Sequence, residues 1–417
     1  MGTVYLVLLF GVPSSVRISA LGSLGRPSFL WGLALFLWWV LWRLQARPGE
    51  LSGTVQPVKL AFWAWFAVVL VSLAAALLRG QPADQAIPII GSVLRPLSWA
   101  GVMLVLMDGL RDPAEVHRFV RRVSIGAALL AVLGLLQSAT GDVLVDRFGS
   151  IPGLTSELGG VAERGAFTRP SGTSIHPLEH ATVLCAAFPL AVSVALHRSS
   201  LHRHWLARAA SWWPVVVIAM GAVLSVSRSA IVGLAVAALL SIPALPRRLR
   251  PLVLLVAAFL GALTIAAVPG LLGTFLGLFN PSGDASTQSR TGALARLPEF
   301  MSPSPVYGSG FGSFLPRYYI FDNAWALMLV ELGVLGFLAF TAVFGSALWT
   351  ALRAARADSR PQLRVTAQTL AAATVTVAVV FAFFDGLAFP EAGGVAFMIL
   401  GLCGAVYRIA CQPSHGG

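Results

Sequence analysis

Apolar segments long enough to cross a bilayer recur along the whole chain. A transmembrane helix needs roughly 20 consecutive, mostly apolar residues, and the sequence offers twelve segments of this kind. They lie near 3–22, 27–42, 57–78, 87–107, 120–139, 177–196, 211–227, 230–245, 251–269, 323–350, 366–384 and 389–409. The sequence therefore predicts an all-α, polytopic transmembrane helical bundle of about 12 spans, forming a single integral membrane domain over 1–417.

The composition excludes a normal water-facing surface. Charged residues make up only 11% of the chain and hydrophobic residues 57%, whereas soluble domains carry roughly 25% charge. The net charge of +12 comes almost entirely from arginine, because Lys59 is the one lysine. No long basic run is present, so we expect no nucleic-acid partner. The bias toward arginine and alanine indicates a GC-rich bacterial genome, and the predicted location is the bacterial cytoplasmic (inner) membrane.

Cysteine usage points to neither a disulfide framework nor a metal site. Cys185 and Cys403 lie within apolar segments and Cys411 lies near the C-terminal end, without a CxxC spacing. The first apolar stretch has no basic residues before it, so we expect no cleaved signal peptide. No sequence motif calls for a cofactor.

Every second loop between the predicted spans is basic. Arginine clusters follow spans two, four, six, eight and ten, and short loops rich in lysine and arginine stay on the cytoplasmic side. These loops and both termini are therefore predicted to be cytoplasmic. The longer segments 140–176 and 270–322 are then extracytoplasmic, with the second lying before span ten.

This alternation gives an unusual position to Arg228, which stands alone between two apolar runs. The basic loops at 198–208 and 247–250 are both predicted to be cytoplasmic, so the chain must cross the membrane twice between them. One continuous helix of about 35 residues would extend roughly 50 Å and end on the wrong side. The sequence predicts a tight hairpin with Arg228 at its outer tip. The alternative is an interfacial arginine whose charged head reaches the lipid headgroups.

Several arginines share this predicted extracytoplasmic face. They are Arg169, Arg228, Arg290, Arg296 and Arg317, and Asp322 lies with them. Arginines close to outer membrane surfaces are disfavoured, whereas their planar donor forks suit phosphate oxygens. A lipid-linked diphosphate is a ligand that fits this location. The alternative for any single arginine is pairing with Asp284, Glu299 or Glu163.

Two short motifs on the same face have weaker signals. G-S-G-F-G at 308–312 lacks the strand and helix that flank a phosphate-binding loop, which favours a backbone turn that directs the next segment. H-P-L-E-H places His176 and His180 four residues apart at the start of span six. That spacing can hold a metal ion, but no third ligand follows. We therefore expect these histidines to line an outer cavity, and His176 to contact substrate.

Asp322 and Asn323 stand at the beginning of span ten and allow two interpretations. Asp322 either caps the helix by accepting from its free N–H groups or acts as a general base facing an outer cavity. Tyr318, Tyr319, Phe321 and Trp325 are close enough in sequence to stack on sugar rings, although aromatic belts at membrane interfaces are common.

Taken together, these stretches resemble the bacterial O-antigen ligase and O-antigen polymerase superfamily of membrane glycosyltransferases. The resemblance covers 165–345 and is carried by the order of four motifs rather than by any one of them. They are R-P-S-G-T-S-I-H-P at 169–177, S-R-S-A-I-V-G at 227–233, S-R-T-G-A-L-A-R at 289–296 with P-V-Y-G-S-G-F-G-S-F at 305–314, and D-N-A-W-A-L-M-L-V-E-L-G-V-L-G at 322–336.

The resemblance implies transfer of a glycan from an undecaprenyl-diphosphate carrier to an acceptor hydroxyl on a saccharide or lipid. It implies that Arg228 and Arg290 bind the diphosphate, and it leaves Arg169, Arg296 and Arg317 as further substrate contacts. Ligases of this family usually have His-Asn where this chain has Asp322-Asn323. A polymerase or another ligase is therefore expected rather than a strict lipopolysaccharide ligase.

The predicted reaction is metal-independent and inverting. Fixed guanidinium groups would stabilise charge on the leaving diphosphate, and a carboxylate would accept the proton of the acceptor. A rival from another class is a transporter or flippase of lipid-linked sugars, which would place charges at mid-membrane depth instead of on one face. A peptidoglycan polymerase of the shape-and-division class is a second rival, but its motifs are not evident.

Overall fold

The computed structural model describes residues 1–46, 55–80, 83–145, 150–156, 162–164, 167–225, 227–251, 254–255, 258, 292, 295–315 and 317–412. Of Arg228 it describes the backbone and not the side chain. Arg290 and nearly half of the predicted outer loop at 270–322 lie outside these ranges.

The described chain is almost entirely helical. Its helices are α1 Gly2–Phe10, α2 Pro27–Gln45, α3 Pro57–Leu78, α4 Ala83–Ser92, α5 Leu94–Gly109, α6 Pro113–Thr140, α7 Pro177–Leu201, α8 Trp205–Ala210, α9 Trp213–Leu224, α10 Arg228–Ser241, α11 Ala324–Ala357, α12 Pro361–Val380 and α13 Pro390–Cys411. Two-stranded antiparallel ladders join β1 (Val16–Ile18) to β2 (Leu154–Ser156) and β3 (Ala162–Arg164) to β4 (Phe167–Arg169). The prediction of an all-α polytopic bundle is confirmed.

Most predicted spans correspond to helices. Within the described ranges nine helical spans are long and apolar enough to cross a bilayer, and Ser229–Ala244 is a shorter apolar one. Two of the nine join consecutive helices, α4 with α5 over Pro88–Gly109 and α8 with α9 over Trp205–Leu224. These ten account for ten of the twelve predicted segments. The predicted span at 251–269 lies almost wholly outside the described residues.

The first predicted span, 3–22, is shorter in the structure. Helix α1 ends at Phe10, and the chain then turns through Gly11 and Pro13 into strand β1. Proline lacks the N–H that a helix interior needs and its ring clashes with the preceding turn. The apolar pattern continues across this point although the helix does not.

Proline also fixes where many of the helices begin. A proline occupies the first or second position of α2, α3, α6, α7, α9, α12 and α13. The missing N–H costs nothing there, because the first turn of a helix has no internal acceptor for it. These prolines therefore locate the helix starts in the sequence itself.

The two ends of the bundle differ in composition. Helices α2, α5, α7, α10, α11 and α13 all begin at one end, which we call the site end. The opposite end, called the basic end, carries the arginine-rich loops. There Lys59 Nζ lies 2.9 Å from Asp108 Oδ2, and Arg408 donates to the carbonyl oxygens of Asp108 and Leu110.

Close backbone contact and aromatic stacking hold the helices together. Helices α2 and α5 touch at Gly32 and Gly101, where a Cβ on Gly101 would meet the Gly32 carbonyl. In the core, the rings of Trp99 and Phe397 stack with centroids 4.9 Å apart, which adds to the area that each ring buries. These contacts fix the relative positions of the helices whose ends carry the loops of the site end.

Candidate functional site

Three helix starts meet at the site end. The backbone N–H of Glu391, in the first turn of α13, donates to Glu179 in the first turn of α7 at 2.7 Å. The N–H of Ala324, the first residue of α11, donates to the carbonyl of Phe381 at 2.8 Å. The sequence-predicted residues His176 and Asp322 precede two of these helices, so the fold brings them to one place.

Asn323, and not Asp322, caps helix α11. The Asn323 side-chain oxygen accepts from the N–H groups of Trp325 at 3.0 Å and Ala326 at 3.1 Å. The interpretation of Asp322 as the helix cap is therefore wrong, because the cap position is one residue later. Asp322 is half-buried, and its carboxylate does not cap the helix.

His176 is a neutral side chain beside Asp322. Its Nδ1 accepts from the N–H of Leu178 at 3.1 Å, which places the ring proton on Nε2. Burial and the positive charge of Arg169 lower the pKa of His176, against the opposing effect of Asp322. At neutral pH this imidazole presents an N–H donor within the electrostatic range of a carboxylate.

Arg169 connects this group to the predicted hairpin. It ends strand β4, is half-buried, and donates from Nε to the carbonyl of Ser225 at 3.1 Å. Ser225 follows α9, and Arg228 begins α10 only three residues later. The turn between the two helices is therefore at the site end, where the sequence places the hairpin tip.

Arg296 and Arg317 occupy a separate aromatic cluster of the same end. Each guanidinium lies over a tyrosine ring, Arg296 at 5.5 Å from the centroid of Tyr319 and Arg317 at 5.1 Å from that of Tyr318. Both arginines are exposed. Arg317 also donates from Nη2 to the hydroxyl of Tyr318 at 3.2 Å.

The aromatic residues proposed to stack on sugars divide into two groups. Phe321 is only 4% exposed, and the indole N–H of Trp325 donates to the carbonyl of Ala378 at 2.8 Å. These two side chains belong to the core. Tyr318 is 42% exposed, so it is accessible to a sugar where the buried ring of Phe321 is not.

The glycine-rich stretch after residue 305 supplies the hydrogen-bond partners that are missing at a break in helix α11. Gly333 has φ 66° and ψ −168° inside this helix, so the carbonyls of Val330 and Glu331 lose their usual donors, the N–H groups of Val334 and Leu335. The loop replaces all four partners. Ser309 and Gly310 donate to the two carbonyls at 3.3 and 2.8 Å, and the N–H groups donate to Pro305 and Val306 at 2.9 and 3.3 Å. The G-S-G-F-G stretch therefore serves the backbone hydrogen bonding of α11, which confirms the interpretation of this stretch as a backbone turn.

Sequence reasoning missed Asp385, in the turn between α12 and α13. Its residue surface is partly open, but its Oδ1 is buried and has no hydrogen-bond partner among the described residues. Burial raises the pKa of Asp385 to about 6, with Arg95 opposing the rise and Asp322 adding to it. The signal was available, since an acid between two apolar spans falls on the same predicted face as Asp322.

A second missed feature is a carboxylate pair that anchors the site. Glu179 accepts from Ser14 Oγ at 3.3 Å and from the N–H of Ile175 at 3.0 Å. Glu391 accepts from the hydroxyls of Thr173 and Ser174. Glu179 also accepts from the backbone N–H of Glu391, so the pair holds the 173–176 segment against α13. No sequence pattern links these acids, which lie 212 residues apart.

The fold places the two histidines of the H-P-L-E-H motif in different surroundings. His180 is completely buried, and neither ring nitrogen has a partner in the described part of the chain. Its ring packs against Gly134 and Gly172 and does not line a cavity, contrary to our expectation for this residue. Across the described ranges, no three His, Cys, Asp or Glu side chains come together as a metal site requires.

Comparison with known proteins gives a match to one protein family. Residues 213–341 match the family model described as O-antigen ligase. No curated protein matches the chain. One solved chain, from work on the structural coordination of polymerization and crosslinking by a peptidoglycan synthase complex, shares 18% identity with a TM-score of 0.41. That match covers 84% of this chain and 98% of that chain, a likeness too low to bear on function.

The matched segment contains the α9–α10 turn, the loop that fills the break in α11 and the Asp322-Asn323 pair. It lies inside the region over which the sequence motifs resemble O-antigen ligases and polymerases. The chain is a multi-pass membrane protein of polysaccharide biosynthesis, and through residues 213–341 it is similar to the O-antigen ligase family.

Proposed function

We propose that the protein transfers a glycan from an undecaprenyl-diphosphate carrier to an acceptor hydroxyl on the extracytoplasmic face of a bacterial inner membrane. The observation that carries the proposal is the group formed by Asp322, neutral His176 and Arg169 beside the turn that leads into Arg228. It joins a proton acceptor to a cationic region, which is what transfer from a diphosphate needs.

The proposed chemistry is a single displacement. The acceptor oxygen attacks the anomeric carbon, the bond from that carbon to the diphosphate oxygen breaks, and its electron pair leaves with the diphosphate. The acceptor proton passes to the carboxylate of Asp322. One displacement inverts the anomeric configuration, so an α-linked donor gives a β-linked product.

Arginine side chains supply the charge stabilisation in this proposal. Arg228 and Arg290 bind the diphosphate, and Arg169 supports them from strand β4. A guanidinium offers two parallel donors to a phosphoryl group, so the reaction proceeds without a metal ion. His176 and Asn323 position the acceptor, the first through its Nε2–H and the second by fixing the start of α11.

The test uses purified protein in nanodiscs with a synthetic undecaprenyl-diphosphate glycan as donor. Mass spectrometry of the products should show a new glycosidic bond and release of the lipid diphosphate. A flippase would move the donor across the bilayer without forming a bond, and this result would overturn the proposal.

Variants then assign the roles. Arg228→Lys and Arg290→Lys should lose most of the transfer, because lysine keeps the charge and loses the bidentate fork. Asp322→Asn should slow transfer by roughly 10²–10⁴-fold, as loss of a general base does, without affecting the helix cap. Arg356→Lys, at the basic end, is the matched control. Near-normal rates in all three site variants would leave the assignment without support.

A further inference from the structure

A second cationic space lies at the site end, between helices that the proposed transfer does not use. It is a cavity of ≈ 260 Å³ between the starts of α2 and α5 and the loop that enters α13. Arg26 and Arg95 both line it, with Ser28, Ser92 and Ser98 and the indole of Trp99. No step of the proposed transfer uses these residues.

Arg95 directs its charge into this space without a close protein partner. It is half-buried, and within the described ranges it makes no hydrogen bond and no ion pair. Its nearest opposite charges act only at longer range, through Asp385 and Glu331. A guanidinium that is partly removed from water normally has acceptors for its N–H groups. The cavity therefore offers N–H donors to a ligand with acceptor oxygens.

Arg26 contributes a second guanidinium from another direction. It precedes the first residue of α2, and its positive charge also reaches the buried Glu179. Because Arg26 and Arg95 come from different helices, their positions are fixed by the packing of α2 on α5. Two convergent guanidinium groups recognise an oxyanion, that is, a phosphoryl or carboxylate group.

The volume of the cavity limits the size of the molecule that can carry the oxyanion. Pockets for drug-sized molecules span roughly 300–1,000 Å³, so this cavity admits a head group or one acidic sugar rather than an oligosaccharide. Arg95 and Asp322 both act electrostatically on Asp385. The cavity and the Asp322 group are therefore within electrostatic range of the same carboxylate.

We infer that the cavity between α2, α5 and the α13 entry loop binds an oxyanion, and that this oxyanion belongs to the acceptor. The assignment to the acceptor rests on the proposed function, since the donor diphosphate occupies the Arg228 side. The existence of an anion site does not depend on that function.

Calorimetric titration of the full-length protein in detergent tests the site directly. Arg228→Gln and Arg290→Gln are introduced first, so that the proposed donor site does not contribute. Inorganic diphosphate and glucuronate are the two probes, and the tighter one identifies the source as phosphoryl or carboxylate. Arg95→Gln should weaken that binding roughly ten-fold or more, as loss of hydrogen bonds to a charged group does.

Gly91→Met provides a test that keeps both arginines. Gly91 lines the cavity on helix α4, and a Cβ there meets open space, so the methionine should fill the cavity without disturbing the fold. It should abolish probe binding, whereas Arg356→Gln at the basic end should leave binding unchanged. Equal binding by the Arg95→Gln and Gly91→Met proteins and their parent would overturn the inference, as would no binding of either probe to the parent.

Kinetics with the native Arg228 and Arg290 then address the acceptor. Gly91→Met should raise the KM for an acidic acceptor and leave the KM for the donor unchanged. An unchanged acceptor KM, with transfer otherwise normal, would overturn the assignment to the acceptor and leave the proposed function intact. Probe binding in a protein that forms no glycosidic bond would remove the proposed function and keep the anion site.

Discussion

Replacing Gly333 with alanine tests whether the break in α11 holds the adjoining loop. Gly333 has φ 66° and ψ −168°, a region that is essentially restricted to glycine, and another residue held there costs roughly 1–3 kcal/mol. A Cβ at this position would also collide with the backbone carbonyl of Val306. Backbone cannot move aside as the tip of a flexible side chain can, so the loop itself must shift.

The shift has its own cost, because four backbone hydrogen bonds join the loop to the broken helix. Each contributes about 1 kcal/mol of net stability. If two of the four are lost, about 2 kcal/mol adds to the roughly 1–3 kcal/mol of backbone strain. The expected decrease in the free energy of unfolding for Gly333→Ala is therefore about 3–5 kcal/mol.

The assay is thermal unfolding of purified protein in detergent, followed by tryptophan fluorescence, with glycosyl transfer measured on the same samples. Gly345→Ala in the same helix is the matched control, since a Cβ there meets open space and alanine favours the helix by up to about 1 kcal/mol. Gly333→Ala should lower both stability and transfer, because the displaced loop leads to Asp322. Wild-type stability together with wild-type transfer in Gly333→Ala would refute the reasoning.

Three further predictions concern the site end. Because the pKa of Asp385 is raised to about 6 from 3.8, the folded state retains a proton that the unfolded state releases. Stability should therefore fall by at most about 3 kcal/mol as pH rises from about 4 to about 6, and Asp385→Asn should abolish this dependence in pH-dependent unfolding. Asn323→Ala should cost about 1 kcal/mol through loss of the cap, whereas Asn323→Asp should unfold like the parent. Transfer should survive EDTA, and activity lost to EDTA and restored by a divalent ion would contradict metal independence.

The apolar pattern predicted helix positions well where hydrophobicity decides them. The predicted span 57–78 corresponds to Pro57–Leu78. The span predicted at 120–139 begins earlier, at Pro113, because Asp112 caps the helix and accepts from the N–H of Glu115. Hydropathy detects the part of a helix that lipid would surround, while a helix continues for as long as its backbone hydrogen bonds do.

Breaks within helices could not be read from the same pattern. The predicted span 87–107 is interrupted at Val93, between α4 and α5. The break at Gly333 has apolar residues on both sides, and its compensating loop lies more than 20 residues away in sequence, at Ser309. Such features depend on which distant backbone fills the gap, which local periodicity does not encode.

The candidate site was predicted in part. Position on one face of the topology identified Arg169, His176 and Asp322, and the structure brings these three into electrostatic range. The sequence did not decide which residue caps α11, and the structure shows that it is Asn323 rather than Asp322. The partnership of Glu179 with the N–H of Glu391 required the fold to bring two distant helix starts together.

The start of α10 has an electrostatic consequence for the stability of the protein. A helix N-terminus carries roughly half a positive charge, so a cation in the first turn is unfavourable by roughly 0.3–1 kcal/mol. Arg228 is the first residue of α10, at the end of the bundle where five other helices also begin. Positive charge is therefore concentrated at this end of the bundle, and a bound anion would reduce the repulsion. A bound diphosphate should raise the unfolding temperature as well as occupy the site, and its association should slow as ionic strength rises.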